Sequence, residues 1–134
     1  MQDRALIPNV IEETLRFEPT GHATARFVTA DVDYYGITVP AGRAILLILA
    51  SGNRDPRRFE NPDVYDVSRK DVQHLTFGYG LHFCLGSHLA RLEGRVALDE
   101  LLNRWPEWEV DYSGMRLAST TTVRGWERLP IVFQ

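Results

Sequence analysis

The sequence predicts an α+β fold in a single domain spanning residues 1–134. Three observations carry this prediction. An amphipathic helical stretch lies near the start, and a leucine-rich helical stretch begins at or just after Cys84. Between and after these two, short β-like runs are bounded by glycine and proline.

Residues 6–19, Leu-Ile-Pro-Asn-Val-Ile-Glu-Glu-Thr-Leu-Arg-Phe-Glu-Pro, read as the first helix. At about 100° per residue, Leu6, Val10, Thr14, Ile7, Ile11 and Leu15 fill one continuous arc. Pro8 suits the first turn and Pro19 stands just beyond the end. The polar side carries Glu13 and Arg16, about 60° apart. Residues 23–29 and 32–42 are β-like, with Gly36 and Pro40-Ala41-Gly42 as turn signals, and the apolar run 44–50 follows. Residues 51–76 form an irregular meander, rich in Asn, Asp, Pro and Arg and without periodicity. So long a connection inside a compact domain is unusual and often functional. After Cys84, Leu85, Leu89, Leu92, Val96 and Leu101 recur at helical spacing until Trp105-Pro106. The tail reads as short strands in 108–114, 115–125 and 128–134, joined at Gly114 and Gly125.

Composition excludes several classes. Apolar residues make up 44% and charged residues 25%, ordinary for a globular chain. A net charge of −3 argues against nucleic acid as the main partner, since phosphate binding needs a basic excess. No apolar run approaches the ~18 residues of a membrane span, and Met1-Gln2-Asp3-Arg4 does not open a secretory signal. One cysteine removes internal disulfides and multi-thiolate metal sites, so a reducing cytoplasm is the expected compartment.

That cysteine sits in Phe77-Gly78-Tyr79-Gly80-Leu81-His82-Phe83-Cys84-Leu85-Gly86. A lone cysteine is most often a buried small hydrophobe. Here, however, it stands near a helix N-terminus, where unpaired N–H groups and the helix dipole favour thiolate. Glycines on both sides let the backbone approach a bulky ligand. A nucleophilic thiolate would need a base, and His82 is the nearby candidate. A thiolate metal ligand needs none, but its other coordination positions must come from outside the protein, and a porphyrin provides four.

The ten residues resemble the haem-binding loop of the cytochrome P450 monooxygenases: Phe, Gly, any, Gly, any, Arg or His, any, Cys, any, Gly. Every specified position matches. The resemblance implies that Cys84 is the catalytic axial thiolate ligand of the iron of haem b, where its electron donation favours O–O cleavage. It implies that Gly78, Gly80 and Gly86 let the loop lie against the porphyrin, that Phe77 packs beside the sulfur, and that His82 partners a propionate.

Glu13-Thr14-Leu15-Arg16 resembles the family's second hallmark, Glu-x-x-Arg, which joins an arginine of the meander; the matching position is Arg69. Without the resemblance the pair would be a solvated helix pair contributing ~0.2–0.5 kcal/mol. Asn53-Arg54-Asp55-Pro56 resembles bacterial members. Arg26 falls where they place a propionate-binding arginine, though an exposed strand arginine fits equally. Residues 21–25 and 119–123 fall where the family lines its substrate pocket, or are a polar turn and a strand edge. Arg91 and Arg95 either meet an acidic redox partner or form a solvated helix face.

The resemblance covers the last third of the family's usual length, so the expected architecture is an α+β fragment of a mainly-α fold. The implied function is O2-dependent oxidation of a small organic substrate, with electrons from a ferredoxin-type partner. The apolar faces of both helices, Ile7, Val10, Ile11 and Leu15 among them, are expected to need the missing N-terminal portion or self-association. Rival readings are a haem-binding or scaffolding fragment without turnover, peroxide-driven oxidation at an exposed haem-thiolate, and a cysteine hydrolase using Cys84 and His82.

Overall fold

The computed structural model describes residues 3–120 and 123–133. Helix α1 spans Ile7–Phe17 and is followed by strands β1 (Ala23–Phe27), β2 (Val32–Tyr34), β3 (Ile37–Val39) and β4 (Ala44–Ile48). A short helix α2 (Leu49–Gly52) leads into the meander, and α3 runs over Ser87–Arg104. Four strands close the chain: β5 (Trp108–Val110), β6 (Arg116–Leu117), β7 (Trp126–Arg128) and β8 (Ile131–Phe133).

The apolar arc of α1 packs in part on α3 within this chain. Ile7 is buried, and Val10, Ile11 and Leu15 are half-buried. Gly94 makes the approach possible, since a Cβ there would lie 3.1 Å from Ile11 Cδ1. Thr14 leaves the arc: it is exposed and shares a hydrogen bond of 2.9 Å with the Tyr65 hydroxyl.

The described strands pair as four small antiparallel ribbons: β1 with β4, β2 with β3, β5 with β8, and β6 with β7. In the first, Ala23 faces Ile48 and Phe27 faces Ala44. The β2–β3 hairpin turns through Tyr35 and Gly36, both left-handed at φ 50° and 82°, as a two-residue primed turn requires. The apolar run 44–50 is not all strand. It stops at Ile48, and α2 turns the chain inward, its end capped by the Asn53 N–H donating to Leu49 O. Trp126 and Glu127, left between strands by the sequence reading, form β7 together with Arg128. There Trp126 faces Leu117, and Arg116 pairs with Glu127 at 2.8 Å.

The apolar core is small. The buried hydrophobic residues are Ile7, Val28, Phe59 and Leu102, whereas the largest fully buried side chains are Arg16, Glu13, Asn53 and Ser87. Conversely, Leu85, Leu89, Leu92 and Val96 lie exposed, as the sequence predicts for much of the long helix. The polar interior is what positions the site.

Candidate functional site

Glu13 and Arg16, which the angle count puts on the polar side of α1, are both fully buried. The meander wraps that side, so "polar" here does not mean solvated. Arg16 donates from Nε and Nη2 to the Glu13 carboxylate, each at 2.7 Å. Its other N–H groups reach the carbonyls of Asn53 (2.9 Å), Pro62 (2.8 Å) and Val64 (3.1 Å). All five guanidinium donors are therefore used. Arg69 joins at 3.4 Å from Glu13 Oε1 and donates to the carbonyls of Glu60, Asn61 and Val64. The Asp66 N–H donates to Glu13 at 2.8 Å. Burial alone would raise the Glu13 pKa, but these donors, Arg16 foremost, hold it below the ordinary value. Three residues separated by up to 56 positions thus meet, and an aperiodic segment has its backbone carbonyls satisfied by two arginines.

Sequence reasoning named Asn53 and Arg54 only as part of a resemblance; the structure gives them work. Asn53 accepts from Leu75 N–H (2.7 Å) and donates to Thr76 Oγ1 (3.0 Å), tying the start of the meander to its end. Thr76 in turn donates to Leu15 O. Arg54 donates to Phe17 O and lies 3.7 Å from the centre of the Phe17 ring. The signal available in sequence was an Asn-Arg pair two residues beyond an apolar run.

The end of the meander passes into the cysteine loop, which closes on itself. Gly78 N–H donates to Leu75 O (2.7 Å), Phe83 N–H to Gly80 O (3.0 Å) and Cys84 N–H to Phe77 O (2.8 Å). Gly78 and Gly80 are left-handed, at φ 75° and 70°, where a side chain would be strained. One turn later α3 begins at Ser87, with Gly86 as its cap. The result is a thiol presented outward: Cys84 is exposed, and Leu81 and Leu85 beside it are fully exposed. That corrects the reading of an inert buried cysteine.

The other named residues fall as follows. Phe77 is half-buried, His82 exposed and Gly86 open, with a Cβ position 3.9 Å from Cys84 Sγ. Among the described residues no hydrogen bond joins His82 to Cys84, so the arrangement lacks the contact a hydrolase pair needs. Arg26 is half-buried, and among the described residues its side chain bonds locally, to Thr24 Oγ1 (3.1 Å) and Ala25 O (2.9 Å). Gly21 forms a β-bridge with Val123, which brings the two predicted pocket-lining stretches together, although Thr121 and Thr122 lie outside the described residues. Arg95 is exposed. Arg91 is not a free surface charge, because Glu12 of α1 holds it in a bidentate pair at 2.6 and 3.0 Å.

These residues fit a large flat apolar ligand carrying its own metal. The chain offers one exposed thiol, apolar side chains around it and glycine backbone with no Cβ in the way. Among the described residues, no three of His, Cys, Asp and Glu cluster as a metal site would require. A metal at Cys84 would take its remaining ligands from such a group.

Comparison with known proteins agrees with that chemistry. A sequence model of the family described as cytochrome P450 matches residues 1–123. The biotin biosynthesis cytochrome P450 of Bacillus subtilis (strain 168) is 42% identical over 129 residues, covering 96% of this chain and 33% of the relative. The vitamin D(3) 25-hydroxylase of Pseudonocardia autotrophica is 43% identical over 133 residues, covering 97% and 33%. The crystal structure of P450BioI in complex with an acyl carrier protein ligated to hexadec-9Z-enoic acid superposes with a TM-score of 0.93 at 41% identity. It covers 99% of this chain and 35% of that one. The chain thus spans about a third of the length of the relatives it matches.

Proposed function

Because the chain belongs to the cytochrome P450 family, we propose that its 134 residues are the C-terminal haem-thiolate portion of a monooxygenase, an incomplete single domain. Proteins of this family bind haem b. One observation carries the reading for this chain: Cys84 stands exposed on a self-closed glycine loop whose base is anchored in a buried ionic network.

In this reading Cys84 would hold the haem iron through its thiolate, and Gly78, Gly80 and Gly86 would let the loop backbone lie close to the macrocycle. Phe77 packs beside the sulfur and keeps water from it. His82 and Arg26 donate to the propionates, because carboxylates near an apolar interior are costly without partners; Arg26 would exchange its local bonds for that one. Glu13, Arg16 and Arg69 hold the meander, so the loop starts from a fixed point. The haem, when bound, supplies the oxygen chemistry, with thiolate donation favouring O–O cleavage. A ferredoxin-type carrier would deliver electrons on the thiolate side, where exposed Arg95, which donates to Arg91 O at 3.3 Å, would meet its acidic groups. A small organic substrate would lie against residues 21–25 and 119–123. Among the described residues no helix is long and apolar enough to cross a membrane, and we assign the chain to the cytoplasm.

The exposed leucines of α3 support a second reading, a haem-holding or scaffolding piece without turnover. They would be covered by an N-terminal portion like that of the relatives, or by a second copy. The test is haem titration followed by reduction under carbon monoxide. A thiolate-type Soret shift that Cys84→Ser abolishes supports the assignment; an unchanged spectrum in that variant refutes it.

A further inference from the structure

We propose that Glu12, His74 and Arg91 form a second ionic cluster that positions Phe77 and, through it, the backbone of the Cys84 loop. It deepens the haem-thiolate reading, on which its functional consequence rests.

The argument starts from Phe77, whose carbonyl accepts the Cys84 N–H at 2.8 Å. Moving Phe77 therefore moves the cysteine. Its ring is held by three neighbours. The Arg91 guanidinium carbon lies 4.7 Å from the ring centre, the His74 ring 5.6 Å away and the Phe83 ring 6.4 Å away. A cation over an aromatic face is attractive, more so when desolvated. Glu12 binds Arg91 and stands within ion-pair distance of His74. Its carboxylate takes Arg91 Nε and Nη2 in the fork geometry that favours arginine, and its Oε2 lies 3.3 Å from His74 Nε2.

His74 is only 2% exposed in its side chain, and its Nδ1 accepts the Thr76 N–H at 3.2 Å. That bond leaves the ring proton on Nε2, which lies 3.3 Å from Glu12 Oε2 without forming a hydrogen bond to it. Thr76 is also the residue that donates to Leu15 O in α1. The cluster thus joins α1, the end of the meander, the cysteine loop and α3. Isolated surface pairs contribute little, but Arg91 and Glu12 are each more than two-thirds covered, and the pair is bidentate.

The test is backbone hydrogen exchange of the haem-free full chain, comparing the Cys84 amide with the Val28 amide. Val28 is buried and bonded to Arg43 O at 2.8 Å, away from the cluster. Glu12→Gln and Arg91→Met should each speed Cys84 exchange at least tenfold while Val28 exchange changes less than twofold. Arg91→Lys, which keeps the charge but not the fork, should fall between them and wild type. Unchanged Cys84 exchange in both variants overturns the proposal. Equal acceleration at Cys84 and Val28 overturns it too, since the cluster would then stabilise the fold generally rather than position the loop. None of these outcomes depends on haem, so a wild-type chain that fails to give the thiolate-type spectrum refutes the proposed function separately.

Discussion

Replacing Arg16 with alanine should be among the most damaging single changes in this chain. The guanidinium spends two N–H groups on Glu13 and three on the carbonyls of Asn53, Pro62 and Val64. Its removal leaves a buried carboxylate held by Arg69 at 3.4 Å and the Asp66 N–H, and it takes the arginine donor from the carbonyls of Asn53 and Pro62, while Val64 O keeps Arg69. Breaking a buried pair by removing one partner costs about 3–5 kcal/mol. With a urea slope of about 1.5 kcal/mol per molar, the midpoint should fall by about 2–3 M. Because domains are stable by only about 5–15 kcal/mol in total, the variant stands near the edge of folding. The assay is urea unfolding followed by tryptophan fluorescence, with Arg104→Ala as control. Arg104 pairs with Glu100 on the exposed face of α3 at 3.3 Å, and its loss should cost at most ~0.5 kcal/mol. If the two variants shift the midpoint alike, the buried network does not order the meander.

Further outcomes are expected. Cys84→Ser should remove the thiolate-type carbon monoxide spectrum while far-ultraviolet circular dichroism stays near wild type, since serine is nearly isosteric but not a soft donor. Burial holds the His74 imidazole below its ordinary 6.5, partly offset by Glu12. The unfolded chain then binds the proton first, so the His74 contribution is complete above that pH and is lost as pH falls below it. Thermal midpoints measured on either side of pH 6.5 should show this fall, and His74→Gln should flatten it. Glu12 and Glu13 are depressed below 4.5, so a further loss should appear as pH drops through and below that value. Finally, the haem-loaded chain alone should consume reduced nicotinamide without matching product, because it spans only about a third of its relatives' length. Co-expression with the N-terminal portion of a relative should restore coupling. Coupled turnover by the chain alone would contradict this.

Where the sequence was legible, a local rule governed the segment. The arc of α1 follows helical periodicity, and the cysteine loop advertises itself because left-handed backbone needs Gly78 and Gly80 while the chemistry needs one thiol. Angular position on a helix says which residues share a side, not what covers that side, so the depth of Glu13 and Arg16 was hidden. Neither sequence reading of Arg91, an acidic partner or a solvated helix face, named its ion pair, for the same reason: its carboxylate lies 79 positions earlier, on another helix. Glu12 and His74 carried no motif at all. Leu49 and Ala50 resemble strand residues as closely as helix residues, and only the turn that buries Asn53 decides between them.

The adjacent glutamates of α1 make that helix an angular fixture. Successive residues leave a helix about 100° apart, and here each carboxylate faces a different body: Glu13 the Arg69 part of the meander, Glu12 the meander's end at His74 and α3 at Arg91. The tilt of α3 against the meander, with the cysteine loop between them, is therefore fixed by a single peptide step. An added residue between Glu12 and Glu13 would swing one attachment around the helix while leaving the other in place, and no side-chain adjustment spans such an arc. Drift in the pose of the thiol must then proceed by substitution, with insertions and deletions confined to the segments outside this pair.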